Sequence, residues 1–320
     1  MSRLRLGTRG SALARAQSRW VADRLREAHP GLDVELVVIS TSGDRFSEAM
    51  NAPVPPGRGP RAAEAEPPAP DGSPNVKAMF VKEIESALLD GGVDLGVHSA
   101  KDLPAELPEG LVVSAYPWRE DPRDVFIGGP ACRTWRRLPA GSVIGTASLR
   151  RRIQLGQSRP DVTFETVRGN VDTRLRKLEA GGVSGLVLAL AGLRRLGREA
   201  VPHEVLSPDL LVPAPGQGAL AIEARSDRED VREALRPLAD ERTRLEVELE
   251  RAFLREAGGG CSTPLGALAR VEDGEVLVRV FWSDPDGRNP ARFSLRGGTR
   301  PEELAALVDG LRGRLEEERS

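Results

Sequence analysis

From its first residues the chain alternates between two hydrophobic periods. Leu4-Arg5-Leu6-Gly7-Thr8 repeats every two residues, and from Ser11 the apolar positions Leu13, Trp20, Val21, Leu25 and Ala28 fall near helical spacing. A serine just ahead of such a segment can accept from the first free backbone N–H groups, so the pattern predicts strand, turn, Ser-capped helix. Val34 to Ile39 predicts a second strand. Lys77 to Leu89 predicts a helix on Phe80, Val81, Ile84, Leu88 and Leu89, with short strands at Leu95 to His98 and Leu111 to Ala115. Strands and helices alternating at these lengths predict a largely parallel sheet covered on both faces.

The same grammar restarts at Ser142-Val143-Ile144-Gly145-Thr146, where Ser148 opens a helix through Ile153 and Leu155. A strand at Val162 to Val167, a helix at Val171 to Leu178 and a buried strand at Leu186 to Leu190 come next, which together predict a second lobe similar to the first. A charged helix from Thr243 to Glu256 leads to alternating segments at Ala267 to Val271, Glu275 to Trp282 and Ala291 to Leu295. With a last helix from Pro301 to Leu315, these read as a small α+β domain. Length agrees, since 320 residues exceed what one hydrophobic core holds. One stretch breaks the grammar: residues 51–76 contain eight prolines and no apolar period, which reads as a mobile surface insertion.

Charge narrows the chemistry. With 46 basic and 48 acidic residues the net charge is −2, so the chain offers no uniformly basic face for nucleic acid. Only Lys77, Lys82, Lys101 and Lys177 among the basic residues are lysines; the rest are arginines, which hold carboxylates and phosphates through two-pronged contacts. Cys132 and Cys261 make no disulfide framework, and His29, His98 and His203 have no zinc-ligand spacing with them, so no metal is expected. No run approaches the length that spans a bilayer, and the N-terminus lacks the apolar core of a secretion signal; the expectation is a cytoplasmic protein.

Chemistry-bearing residues gather where strands end, the usual ligand position in open α/β sheets. His98-Ser99-Ala100-Lys101-Asp102-Leu103-Pro104 ends a short buried strand in a hydroxyl, an ammonium and a carboxylate. Asp102 is either a turn residue or an ionised group that stabilises a developing cation. Ser148-Leu149-Arg150-Arg151-Arg152 and Arg168-Gly169-Asn170-Val171-Asp172-Thr173-Arg174 put guanidinium groups at two helix starts, which favour anions. At 100° per residue Arg150, Arg151 and Arg152 cannot all face one ligand. Gly216-Gln217-Gly218 imitates a dinucleotide fingerprint but comes after Pro213 and Pro215 and leads into strand-like Leu220-Ala221-Ile222-Glu223; it reads as a crossing between lobes. Gly258-Gly259-Gly260-Cys261 leaves a lone thiol with little side-chain cover, suited to attachment or nucleophilic attack, whereas Cys132 reads as structural.

In order along the chain, Thr8-Arg9-Gly10-Ser11, Phe80-Val81-Lys82-Glu83, His98 to Pro104, Glu120-Asp121-Pro122-Arg123-Asp124, Gly145 to Arg151, Arg168-Gly169-Asn170, Ala191 to Gly197, Pro213 to Ala219 and Gly259-Gly260-Cys261 resemble the porphobilinogen deaminase (hydroxymethylbilane synthase) family. The resemblance implies an α/β fold with two periplasmic-binding-protein-like lobes around a cleft plus a small C-terminal α+β domain. The divisions are 1–118 with 219–236 (insertion about 46–76), 123–212, and 241–320. It implies a monomeric transferase of tetrapyrrole biosynthesis that joins four porphobilinogen molecules head to tail on a covalent dipyrromethane primer, releasing ammonia at each step and then hydroxymethylbilane by hydrolysis.

By motif match the primer hangs from Cys261 through a thioether, and Asp102 is the catalytic carboxylate. Ser99, Lys101, Thr146, Ser148, Arg150, Arg151, Arg168 and Gly169 fall on cofactor-binding positions. Arg9, Ser11, Phe80, Arg174, Arg195 and Gln217 fall on substrate positions. Lys77 falls on the lid, where the family's Gly-Gly-Lys-Gly-Leu-Phe is replaced by Asn75-Val76-Lys77-Ala78-Met79-Phe80. Neither a nucleic acid nor a membrane partner is implied. Two other readings compete: a non-catalytic, two-lobed anion-binding module, and a dehydrogenase built on Gly216 and Gly218.

Overall fold

A computed structural model describes residues 2–42, 81–130, 132–258, 264–284 and 286–319. The proline-rich stretch 51–76, Lys77, Phe80 and Cys261 lie outside them. The chain opens with β1 (Arg3–Arg9), α1 (Ala12–Ala28), β2 (Asp33–Ile39), α2 (Lys82–Leu89), β3 (Leu95–Ser99) and β4 (Leu111–Ala115). It continues with β5 (Asp124–Gly128), β6 (Val143–Gly145), α3 (Leu149–Ser158), β7 (Thr163–Glu165), α4 (Val171–Glu179), β8 (Gly185–Ala189), α5 (Leu190–Arg195) and β9 (Glu204–Val205). Then come β10 (Leu220–Arg225), α6 (Glu229–Leu235), α7 (Glu241–Glu256), β11 (Gly266–Glu272), β12 (Glu275–Trp282), β13 (Ala291–Gly298) and α8 (Pro301–Arg319).

Two five-stranded sheets share one plan, ordered β2-β1-β3-β10-β4 and β7-β6-β8-β5-β9. In each, the first three strands are parallel, as the alternation predicts. The fourth runs antiparallel to both its neighbours, so the sheets are mixed, which corrects the largely parallel expectation. The cause is a strand exchange. β5 arrives from the first lobe and β10 from the second, each entering beside the C-terminal end of a parallel strand and running back. Asp124 pairs with Ala189, and Leu220 with Ser99. Both crossings therefore pass the strand ends where ligands bind in such sheets.

Side-chain burial obeys the sequence periods. Leu4 and Leu6 of β1, Val21 and Leu25 of α1, and Ile222 of β10 lie fully buried in the first core. Val125 and Ile127 of β5 meet Leu186 and Leu193 in the second lobe. The C-terminal sheet β11-β12-β13 packs α7 on β11 and α8 on β13, around Phe253, Val278 and Leu311. Fully burying one such side chain stabilises by about 1.5–3 kcal/mol, enough that each core fixes its own register.

Candidate functional site

The first lobe contributes groups from two strand ends. Arg9 is the last residue of β1, and Ser11 caps α1, its Oγ accepting from the Ala14 N–H at 3.3 Å. After β3 the chain makes one 3-10 turn over Ala100–Asp102, carrying Lys101 and Asp102 just beyond the strand. Ser99 Oγ accepts from Gln17 Nε2 at 3.0 Å. Arg9, Ser11, Gln17, His98, Ser99 and Asp102 line a small solvent-open cleft of about 60 Å³.

The second lobe answers with guanidinium groups. Thr146 Oγ1 accepts from the Ser148 N–H, and Ser148 Oγ caps α3 by accepting from the Arg151 N–H. Arg150 and Arg151 are then buried and converge on Asp124: Nη2 of Arg150 donates to Oδ2 at 2.8 Å, and Nη2 of Arg151 to Oδ1 at 2.7 Å. Arg152 turns away to the Thr146 carbonyl and Thr166 Oγ1. Half-buried Arg168 precedes Gly169, whose φ of 106° suits glycine, and Asn170 caps α4. Arg174 Nε donates back to the Gly169 carbonyl at 2.7 Å.

Electrostatics show that the two sets meet. Burial pulls the Lys101 ammonium down to about 8; Asp102 and Asp124 oppose the fall, and Arg151 and Arg150 add to it. Burial likewise lowers Arg174 to about 10, helped by Arg151 and Arg168 and opposed by Asp102. Burial would raise Asp124, but Arg150 and Arg151 outweigh it and hold the carboxyl at about 2. Lys101 and Asp102 of one lobe thus share a field with Arg151, Arg168 and Arg174 of the other. A carboxylate-bearing ligand is the species such a field attracts.

The returning crossover packs against the same strand end. A Cβ on Gly216 would lie 3.0 Å from Ala100 C and Lys101 N, and one on Gly218 would lie 2.3 Å from the Glu120 carbonyl. The next element is strand β10, not a helix, so no Rossmann phosphate turn forms here. Gln217 is 1% exposed; its Nε2 donates to the Pro122 carbonyl at 2.6 Å and to Asp124 Oδ1 at 2.9 Å. Arg195 Nη2 donates to the Gly218 carbonyl at 2.6 Å, and burial lowers its guanidinium to about 10 against the pull of Glu120. Arg119 donates to the Gln217 carbonyl and grips Glu250 at 2.8 and 2.9 Å. Glu250 in turn accepts from the Gly216 and Ala269 N–H groups.

Lys101, Asp102, Arg150, Arg151, Arg168 and Arg174 therefore come together, with Ser99, Thr146, Ser148 and Gly169 at the strand ends that carry them, Arg9 and Ser11 in the cleft wall, and Arg195 and Gln217 on the crossover. Cys261 lies outside the described residues, between the end of α7 and the start of β11. Cys132 is partly buried, its thiol directed to the Thr134 carbonyl at 3.4 Å. Among the described residues no group of three His, Cys, Asp or Glu is placed to hold a metal, and no helix is long and apolar enough to cross a membrane. Asp124, Gln17, Arg119 and Glu250 were not singled out from sequence as working residues. The available signal was an aspartate directly ahead of the apolar run Val125-Phe126-Ile127, where a charge enters the core only with partners.

Comparison with known proteins bears on this constellation. Residues 4–233 match the family model described as porphobilinogen deaminase, dipyromethane cofactor binding domain, and residues 244–310 match its C-terminal domain. A porphobilinogen deaminase of Syntrophus aciditrophicus is 47% identical over 313 residues, covering 96% of this chain and 95% of that protein. One from Roseiflexus sp. is 45% identical over 307 residues, covering 96% and 94%. Among solved structures, the periplasmic aliphatic sulphonate binding protein SsuA from Escherichia coli aligns with a TM-score of 0.41 at 13% identity, covering 100% of this chain and 88% of that one.

Proposed function

Because the chain belongs to the porphobilinogen deaminase family, we propose that its cleft builds a linear tetrapyrrole on a primer tethered at Cys261, with Asp102 as the catalytic carboxylate. The activity is that of a hydroxymethylbilane synthase, a transferase that condenses four porphobilinogen molecules head to tail and releases the chain by hydrolysis; its cofactor is dipyrromethane. The observation that carries the site assignment is the shared field of Lys101 and Asp102 with Arg151, Arg168 and Arg174.

Fit to the cofactor rests on the donor set. Each pyrrole bears two carboxylates, and the site holds two guanidinium groups against the single carboxylate of Asp124. Arg151 Nε and Gln217 Oε1 are buried without a hydrogen-bond partner among the described residues, an arrangement a polar ligand relieves. When bound, dipyrromethane supplies a nucleophilic pyrrole carbon held beside each incoming substrate, so coupling gains from proximity. Arg150, Arg151, Arg168, Lys101, Ser99, Thr146, Ser148 and Gly169 take the primer side. Arg9, Ser11, Arg174, Arg195 and Gln217 take the substrate side, with Phe80 and Lys77 assigned by family resemblance alone.

Asp102 acts on charge. As the substrate's aminomethyl C–N bond breaks, the bonding pair leaves with the nitrogen and a positive methylene-pyrrole remains. The Asp102 carboxylate held beside that cation lowers the barrier. The domain division at 1–118 with 219–236, 123–212 and 241–320, a monomeric state, a cytoplasmic location, and the absence of nucleic acid or membrane partners belong to the same proposal.

Intact-mass spectrometry of the purified full-length chain tests it. The expected result is a two-pyrrole adduct that disappears in Cys261→Ala, and an Asp102→Ala variant that keeps the adduct while losing nearly all turnover. An unmodified wild-type chain would reject the primer and favour an anion-binding module; normal rates in Asp102→Ala would remove its catalytic role.

A further inference from the structure

We propose that Asp124 is a positioning residue for primer binding: its carboxylate, tied to the lobe crossover by Gln217, sets the pose in which Arg150 and Arg151 receive the cofactor's carboxylates. This rests on the primer reading above. Asp124 is fully buried, and its oxygens take three donors, Arg150 Nη2 at 2.8 Å, Arg151 Nη2 at 2.7 Å and Gln217 Nε2 at 2.9 Å. Each guanidinium has a second anchor on the backbone: Arg150 Nη1 donates to the Val212 carbonyl at 2.5 Å, and Arg151 Nη1 to the Val187 carbonyl at 2.8 Å.

These contacts act in two ways. Ordering a long arginine side chain costs rotamer entropy, and anchoring at two points meets that cost during folding instead of at ligand binding. One carboxylate against two guanidinium groups also removes most of their mutual repulsion while leaving a net positive charge for an anionic ligand. Without Asp124, two buried cations would face each other unpaired.

The tie through Gln217 gives this pose a reference frame. Gln217 bridges Asp124 and the Pro122 carbonyl, and its own carbonyl receives Arg119, which is bound to Glu250 on α7. Glu250 accepts from Ala269 N–H on β11. Helix α7 and strand β11 flank the segment that contains Cys261. A single run of buried polar contacts therefore sets the arginine pair in register with both ends of the attachment segment.

The test measures the fraction of full-length chain carrying the adduct after incubation with porphobilinogen, alongside thermal melting, for wild type, Asp124→Ala and Gln217→Leu. Folded Asp124→Ala is expected to load at least tenfold less than wild type, and formate, a carboxylate small enough for the vacated space, should restore part of the loading where chloride does not. Gln217→Leu, which keeps every charge, should load a few-fold less. Full loading of folded Asp124→Ala, or failure of formate to raise it, overturns the proposal. If Asp124→Ala does not fold, Gln217→Leu decides, and wild-type loading there overturns it. Absence of adduct from wild type rejects the primer reading itself.

Discussion

Replacing Glu85 by glutamine should stabilise the protein by an amount that grows as pH rises from about 4.5 to 7 and then levels off. Glu85 on α2 is 9% exposed and shares a buried cluster with Glu223 of β10 and His98 of β3, the strand that leads to Asp102. His98 Nε2 and Glu223 Oε2 stand 3.1 Å apart without hydrogen-bond alignment. Burial, reinforced by Glu223 and opposed by His98, raises the Glu85 carboxyl from 4.5 to about 7. The folded form therefore holds a proton more tightly than the unfolded chain. The resulting stability is complete below pH 4.5 and is lost as pH rises through 7. At about 1.4 kcal/mol per tenfold in proton affinity, ionisation at pH 8 costs on the order of 3 kcal/mol. Glutamine keeps the shape of the neutral acid and has no proton to lose. Melting curves of wild type and Glu85→Gln should nearly coincide at about pH 5 and separate at about pH 8, the variant melting higher by roughly 4–10 °C. A separation that does not change with pH, or a variant that melts lower on the alkaline side, would refute the reasoning.

Two further outcomes are expected. With Lys101 titrating at about 8, kcat/KM for porphobilinogen should decline above that pH as the ammonium proposed to hold the primer's carboxylates is lost. In Lys101→Gln the value should be lower throughout and that limb absent, so a limb surviving the substitution would assign the titration elsewhere. Gly218→Ala places a Cβ 2.3 Å from the Glu120 carbonyl at a φ of 88°, so urea unfolding should show a loss of roughly 1–3 kcal/mol or more. Gly181→Ala, at a φ of 74° with open space around it, should lose less, and equal losses would show that the crossover contact is unimportant.

Legibility in the sequence tracked the range of the interaction. Caps were readable because they act over three residues: Ser11 and Ser148 each stand where a helix begins. Strands with a clear period, such as Arg3–Arg9, were readable too. Strand β5 was not found from periodicity, because Asp124-Val125-Phe126-Ile127-Gly128 is buried on both faces and alternates nothing. Its direction, and that of β10, depends on which lobe the chain has just left, and no local pattern encodes that. At the site, the strand-end clusters holding Asp102 and Arg150 were visible as residue types. Their common partner was not, since Asp124 gains its meaning from Arg150, Arg151 and Gln217, all distant in sequence.

The exchange of strands also sets an order of assembly during synthesis. Every strand of the second sheet lies between Asp124 and Val205, so that lobe can close on itself as soon as those residues have emerged. The first sheet has to wait. Strand β4 touches it solely through β10, so an early-made strand remains an unpaired edge until residues 220–225 arrive. The first lobe, though made first, is thus completed after the second, and a ribosome stalled before residue 220 would carry an open, aggregation-prone edge.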